Sequence, residues 1–379
     1  MGILLKLRIE SFIKTKYSIW DKKRTIQTTR AAAVRLLSFD PRCKGRRDSG
    51  VLTESFLQVK SRMISHCGLR GYSYFCKSIF KKMGQKAISI DEQIQLLRSR
   101  GMVINNEEKA KEVLFDVGYF RLGFYWFPFE LTYPQKDNRN HQFKKGSNFD
   151  DAVKLYYFDF KLRNYLLKAL SRIEIAFRTK VIYLVSNQNP DKPTWFADPS
   201  VVQSKQAKEF KTIVYDKLVA KNISVIAIHH RHHINDVFAP AWKTLEFMTI
   251  GEVLHLFKSI KDDTIKSQVA AEFNIKQLVT FNNYMEVIKN VRNVCAHSNV
   301  LYDFTPERSI RKGPAMFKGI GANQNLNGAL HVVLYMLKQV SVNRFNELKE
   351  EIENLIKEYS KYPKLADILQ DVSGLKIIL

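Results

Sequence analysis

From Phe149 to about Val185, apolar residues recur at positions 155, 158, 162, 166, 170, 173 and 177, the three-then-four spacing of one helix face. This is the strongest helical signal in the chain, and it constrains the fold more than any other feature. A helix this apolar buries much of its surface. Its charged residues must then be paired inside a bundle or reserved for a site. Opposite charges stand four apart at Asp159/Arg163 and Glu174/Arg178. Such pairs add only about 0.2–0.5 kcal/mol each when exposed.

Weaker helical patterns surround this one. Ile88 to Arg100 reads as a helix ended by Gly101, and Asn105-Asn106-Glu107-Glu108 opens another that runs to about Asp116. Gly118 to Phe129 is dense in aromatics and broken by Gly and Pro. It reads as buried packing, with base stacking as the other reading. Residues 132–148 read as a loop, and 187–241 are less regular. Four His in the run His229 to His233 invite a metal reading, but neighbouring side chains point different ways and no partner Cys or acidic spacing supports it. A solvated loop is expected there. Helices are expected through Phe257, over 263–273, from Lys276 across 292–297, and near 328–340 and 343–360, the last with Leu348, Ile352 and Ile356 on one face. The expected class is mainly α.

The chain has 379 residues and a net charge of +24. That excess suggests a polyanionic partner. Residues 1–86 hold 20 Lys and Arg against 5 Asp and Glu. They form a basic, poorly patterned extension, and Met83 is a candidate translation start. The expected organisation is this extension over 1–86, a helical domain over 87–316 and C-terminal helices over 317–379. Cys43, Cys67, Cys76 and Cys295 are too few for a disulfide framework and lack CxxC spacing. A reducing, cytoplasmic setting fits them. No apolar run reaches the roughly 18 residues a membrane span needs. Neither a metal nor a small-molecule cofactor is expected.

Arg292-Asn293-Val294-Cys295-Ala296-His297 is the segment suited to chemistry. On a helix Asn293 and His297 share a face, so Asn293 is expected to orient the imidazole. The long Arg292 side chain can bring its guanidinium beside the ring. A positioned imidazole moves protons near neutral pH, and a fixed guanidinium meets charge developing on phosphoryl oxygens. RNA supplies its own nucleophile, the 2′-hydroxyl. On spacing alone, the plainer reading is an Arg and a His that end a core helix and bond its carbonyls.

The motif, followed by Leu301-Tyr302-Asp303, resembles the RN-x-CAH signature of the bacterial Abi-like proteins. Further matching elements are Gln93 to Gly101, Gly118 to Leu122, Phe158 to Arg163, Arg172 to Arg178 and Pro240 to Gly251, in order over about residues 87–310. The resemblance implies a HEPN-type helical bundle with additional helices, of a class that includes metal-independent endoribonucleases and RNA-binding relatives, and a role in phage abortive infection. It implies Arg292 and His297 as the catalytic pair, Asn293 as the adjacent polar residue, and a homodimer that brings two motifs to one cleft. Asp159, Arg163, Glu174 and Arg178 are possible supporting residues. The alternative is a non-cleaving RNA-binding protein restrained by a small structured RNA. A third reading, a protein–protein scaffold, has only exposed helices in its favour.

Overall fold

The structure, a computed structural model, describes residues 87–316 and 321–375. The basic extension over 1–86, with Cys43, Cys67 and Cys76, lies outside the described residues.

Short helices lead into the long one. Helix α1 (Ile90–Ser99) starts at a reciprocal cap: the Glu92 N–H donates to Ser89 Oγ and the Ser89 N–H donates to Glu92 Oε2. Asn106 caps α2 (Glu107–Val117) by accepting from the Lys109 N–H. Gly118, at φ 89°, makes the break before α3 (Tyr119–Trp126), in a region only glycine adopts freely.

Helix α4 (Phe149–Gln188) runs unbroken for 40 residues. By its rise it is about 60 Å long. The apolar positions at 155, 158, 162, 166, 170, 173 and 177 are all buried. Its first turns pack with α1 to α3 around Ile94, Leu97, Leu122, Trp126 and Phe149. The rest of α4 anchors the larger core.

The connecting region contains α5 (Ser204–Phe210), α6 (Asp216–Ala220), α7 (Ser224–His232) and α8 (Ala241–Thr244). Helices α9 (Ile250–Ser259), α10 (Asp263–Ala271) and α11 (Leu278–Ala296) follow. The chain then forms α12 (Leu326–Val340), α13 (Val342–Tyr359) and α14 (Pro363–Asp371). Helices α10 to α14 all pack on α4. The C-terminal helices thus share the core of the described residues: the Tyr359 ring meets Phe158 with centroids 5.5 Å apart. Leu348, Ile352 and Ile356 are buried, and α14 was not legible as a helix. Among the described residues no helix is long and apolar enough to cross a membrane.

Two expectations need correction. The His229–His233 run is not a solvated loop, because most of it is helical within α7 and His229 is buried. His229 Nε2 meets Asp236 Oδ2 at 3.1 Å, and His230 Nε2 meets the Tyr215 hydroxyl at 2.7 Å. Asp236 and Tyr215, outside the run, supply the polar partners that let these rings pack. Among the described residues no group of three His, Cys, Asp or Glu could hold a metal ion. The aromatic segment is only partly core. Leu122, Tyr125, Trp126, Phe127 and Phe129 are buried, but Phe120 is 82% exposed and Phe124 also faces solvent. These two share a helix face and meet edge to face.

Gly328, in the first turn of α12, lies against backbone: an added Cβ would stand 1.9 Å from the Ala322 carbonyl oxygen. Gly328→Ala is expected to destabilise the fold by about 1–3 kcal/mol through overpacking, despite alanine's better helix propensity. A fall in the urea midpoint would register this.

Candidate functional site

Helix α11 carries the motif and stops within it. Arg292 to Ala296 are helical and His297 is the C-cap, at φ −93° and ψ 10°. Ser298 turns left-handed at φ 54°. Its N–H donates to the Cys295 carbonyl at 3.2 Å, and the Asn299 N–H donates to the Val294 carbonyl at 2.9 Å. This bonding closes a Schellman ending in which serine stands where glycine is usual. The left-handed serine costs of order 1 kcal/mol, so the surroundings must hold it.

They do so through Asp159, Arg163 and Arg121. The Arg121 guanidinium donates to the Ser298 carbonyl at 2.7 Å, and Arg163 donates to the Asn299 carbonyl at 3.1 Å. Asp159 accepts from the Leu301 N–H at 3.1 Å and from the Tyr302 N–H at 2.6 Å. It also accepts from the Tyr125 hydroxyl at 2.8 Å and pairs with Arg163. Asp159 and Arg163 are both buried. Burial pushes the Asp159 carboxyl up to about 6, against the pull of Arg163, the Tyr125 hydroxyl and the two amides. The pair therefore acts on His297 only through the loop that leaves it. Arg121 and Tyr125 were missed as contributors to this clamp, because nothing in their spacing relates them to a segment some 170 residues later.

Glu174 and Arg178 serve the other end of the motif. Arg292 donates from Nε to Glu174 Oε2 at 3.2 Å. Glu174 Oε1 accepts from Arg178 at 3.0 Å, and Arg178 also donates to the Met248 carbonyl. Glu246 Oε1 lies 3.6 Å from Arg178, a contact the sequence did not indicate. The Glu174 side chain is 12% exposed and that of Arg292 is 30% exposed. Anchoring at Nε leaves the terminal nitrogens of Arg292 without a hydrogen-bond partner among the described residues. In a guanidinium such terminal nitrogens can hold a carboxylate or phosphate.

His297 is exposed at the helix end. Its link to Asn293 is through the backbone: the His297 N–H donates to the Asn293 carbonyl at 3.0 Å. The Asn293 amide is half-buried and makes no hydrogen bond to the ring among the described residues. The expected hydrogen bond that would orient the imidazole is not seen, although the backbone keeps the two residues one helical turn apart. Neither Arg292 nor His297 is buried in a dry core.

Cys295 is buried beneath the motif, and burial pushes its thiol up to about 12, with Asp159 adding and Arg163 opposing. Cys295 is expected to resist iodoacetamide in the folded protein at mildly alkaline pH and to react after unfolding in urea. Peptide mass spectrometry distinguishes the two.

Neither a curated protein nor a solved structure matches the chain. The sequence model of the Abi-like protein family does match, over residues 112–303, just over half of the length. The match begins inside α2 and ends one residue past Tyr302. It thus takes in the loop clamp, the Glu174 anchor and the exposed Arg292–His297 segment together, and the chain belongs to the Abi-like protein family.

Proposed function

We propose that this protein acts in abortive infection, the phage defence its family suggests, as a metal-independent endoribonuclease on a HEPN-type bundle. The observation that carries the reading is the arrangement on α11: a guanidinium tethered at Nε with its terminal nitrogens free, and an exposed imidazole at the end of the same helix.

In this reading Arg292 holds the scissile phosphate and offsets charge that builds on its oxygens. His297 takes the proton of the 2′-hydroxyl, whose oxygen forms the new bond to phosphorus while the bond to the 5′-oxygen breaks. The leaving oxygen must receive a proton. One imidazole supplies either transfer, and a second copy of the chain, facing the first across a two-fold axis, supplies the other. A homodimer with two motifs in one cleft is therefore part of the proposal, and the cytoplasm, where RNA is abundant, is its setting.

The reading expects cleavage in the presence of EDTA, products ending in 2′,3′-cyclic phosphate, and a dimer by light scattering. Tight, salt-sensitive RNA binding with no cleavage under any condition would instead favour the RNA-restrained, non-cleaving alternative.

A further inference from the structure

On the far side of α4 from Arg292 lies a groove that the reading above does not use. Its larger part, a cavity of about 330 Å³ between α4 and the end of α12, is lined by Arg172, Thr179, Lys180 and Gln339 among others. A second depression of about 200 Å³ continues it, sharing Thr179 and Lys180 and adding Tyr183 and Glu272. At about 100° per residue, Arg172 and Glu174 stand roughly 160° apart around α4, so the groove and the Arg292 anchor occupy opposite faces.

Arg172 is the telling residue. Arg163, Arg178 and Arg292 all have carboxylate partners, whereas Arg172 has no ion pair or hydrogen bond among the described residues. Its Nε is shut off from solvent, as is that of Arg178, but its terminal nitrogens are not, and they have no acceptor among the described residues. A guanidinium whose terminal nitrogens reach solvent with no acceptor beside them is open to an anion from outside the described residues. Lys180 offers only donors and is paired with Glu272, and Gln339 Oε1 already accepts from Asn274, so neither supplies that acceptor. The larger cavity itself contains no acidic side chain. At the other end of the groove Tyr183 is 65% exposed.

We propose that this groove binds a short single strand of RNA, with a phosphate on the Arg172 guanidinium and a base stacked on Tyr183. A planar guanidinium fork suits a phosphate, and an exposed ring beside a cationic groove suits an unpaired base. Arg172 and Tyr183 are eleven positions apart on one continuous helix, about 16 Å along its axis, beyond the reach of one nucleotide. The site shares RNA as ligand with the nuclease reading but not its chemistry.

The test uses the full chain and a fluorescein-labelled 2′-O-methyl RNA strand, which lacks the nucleophile and cannot be cut by the route above. Arg172→Gln is expected to weaken binding about tenfold and to reduce the slope of log affinity against log salt by about 0.7, the share of one phosphate contact. Tyr183→Ser, at a position where folding is not at stake, is expected to weaken binding at least about fivefold. Wild-type affinity and salt slope in Arg172→Gln overturn the proposal. If that variant fails to fold, wild-type affinity in Tyr183→Ser overturns it. Displacement of the strand by adenosine monophosphate at comparable concentration would overturn the strand in favour of a free-nucleotide pocket. Loss of the nuclease reading, through a His297 variant that still cuts RNA, would leave these binding results unchanged.

Discussion

His297→Ala is expected to lower RNA cleavage by about 10²–10⁴-fold, the usual share of a positioned acid–base group, while the thermal midpoint stays close to that of the parent. The fold should tolerate the change because His297 is exposed and its part in ending α11 is played by its backbone. Exposed substitutions of this kind generally stay within about 0.5 kcal/mol. Gel-resolved cleavage of a labelled RNA, beside a melting curve on the same preparation, measures both. A His297→Ala protein that cuts RNA at the parent's rate would remove the nuclease assignment. Arg292→Lys is the informative companion. It keeps the charge but loses the planar fork and the Nε contact with Glu174, so cleavage should fall although the net charge is unchanged.

Asp159→Ala should have the largest effect on stability, a loss of about 3–5 kcal/mol. Removing the carboxylate leaves the buried Arg163 guanidinium without its counter-charge and strips the acceptor from the Leu301 and Tyr302 amides and the Tyr125 hydroxyl. The left-handed turn at Ser298 then loses the anchor just beyond it, so activity should fall even below the melting transition. The carboxyl also imposes a pH dependence. Its folded value is raised from 3.8 to about 6, so the folded state holds the proton more tightly than the unfolded chain does. Stability from this group is therefore fully present below 3.8 and declines as the pH rises through about 6. Urea midpoints of the parent and of Asp159→Asn across that window should show the parent's margin narrowing with rising pH.

The difference between Asp159/Arg163 and Glu174/Arg178 shows how far the sequence could be read. Both are opposite-charge pairs four apart on one helix, and nothing local distinguishes them. In the folded chain the first is buried and clamps the loop after His297, whereas the second keeps a free carboxylate oxygen for Arg292. The same limit applies to the His229–His233 run, whose rings are set by Tyr215 and Asp236 from outside it. Asn293 illustrates the reverse case, since its position four before His297 implied a side-chain contact, whereas the two residues are joined only through the backbone.

Periodicity alone determined the 40-residue spine, its buried stripe and the mainly helical class, because one repeated face must be covered whatever covers it. The Arg292–His297 segment was legible too, since a motif within six residues needs no long-range contact to be seen. Only the tertiary structure decided which charges became scaffold, which arginine was left unpaired in a groove, and that α11 ends at His297. Those outcomes depend on partners brought in from distant parts of the chain, and burial and electrostatic pairing are properties of the packed arrangement rather than of any one segment.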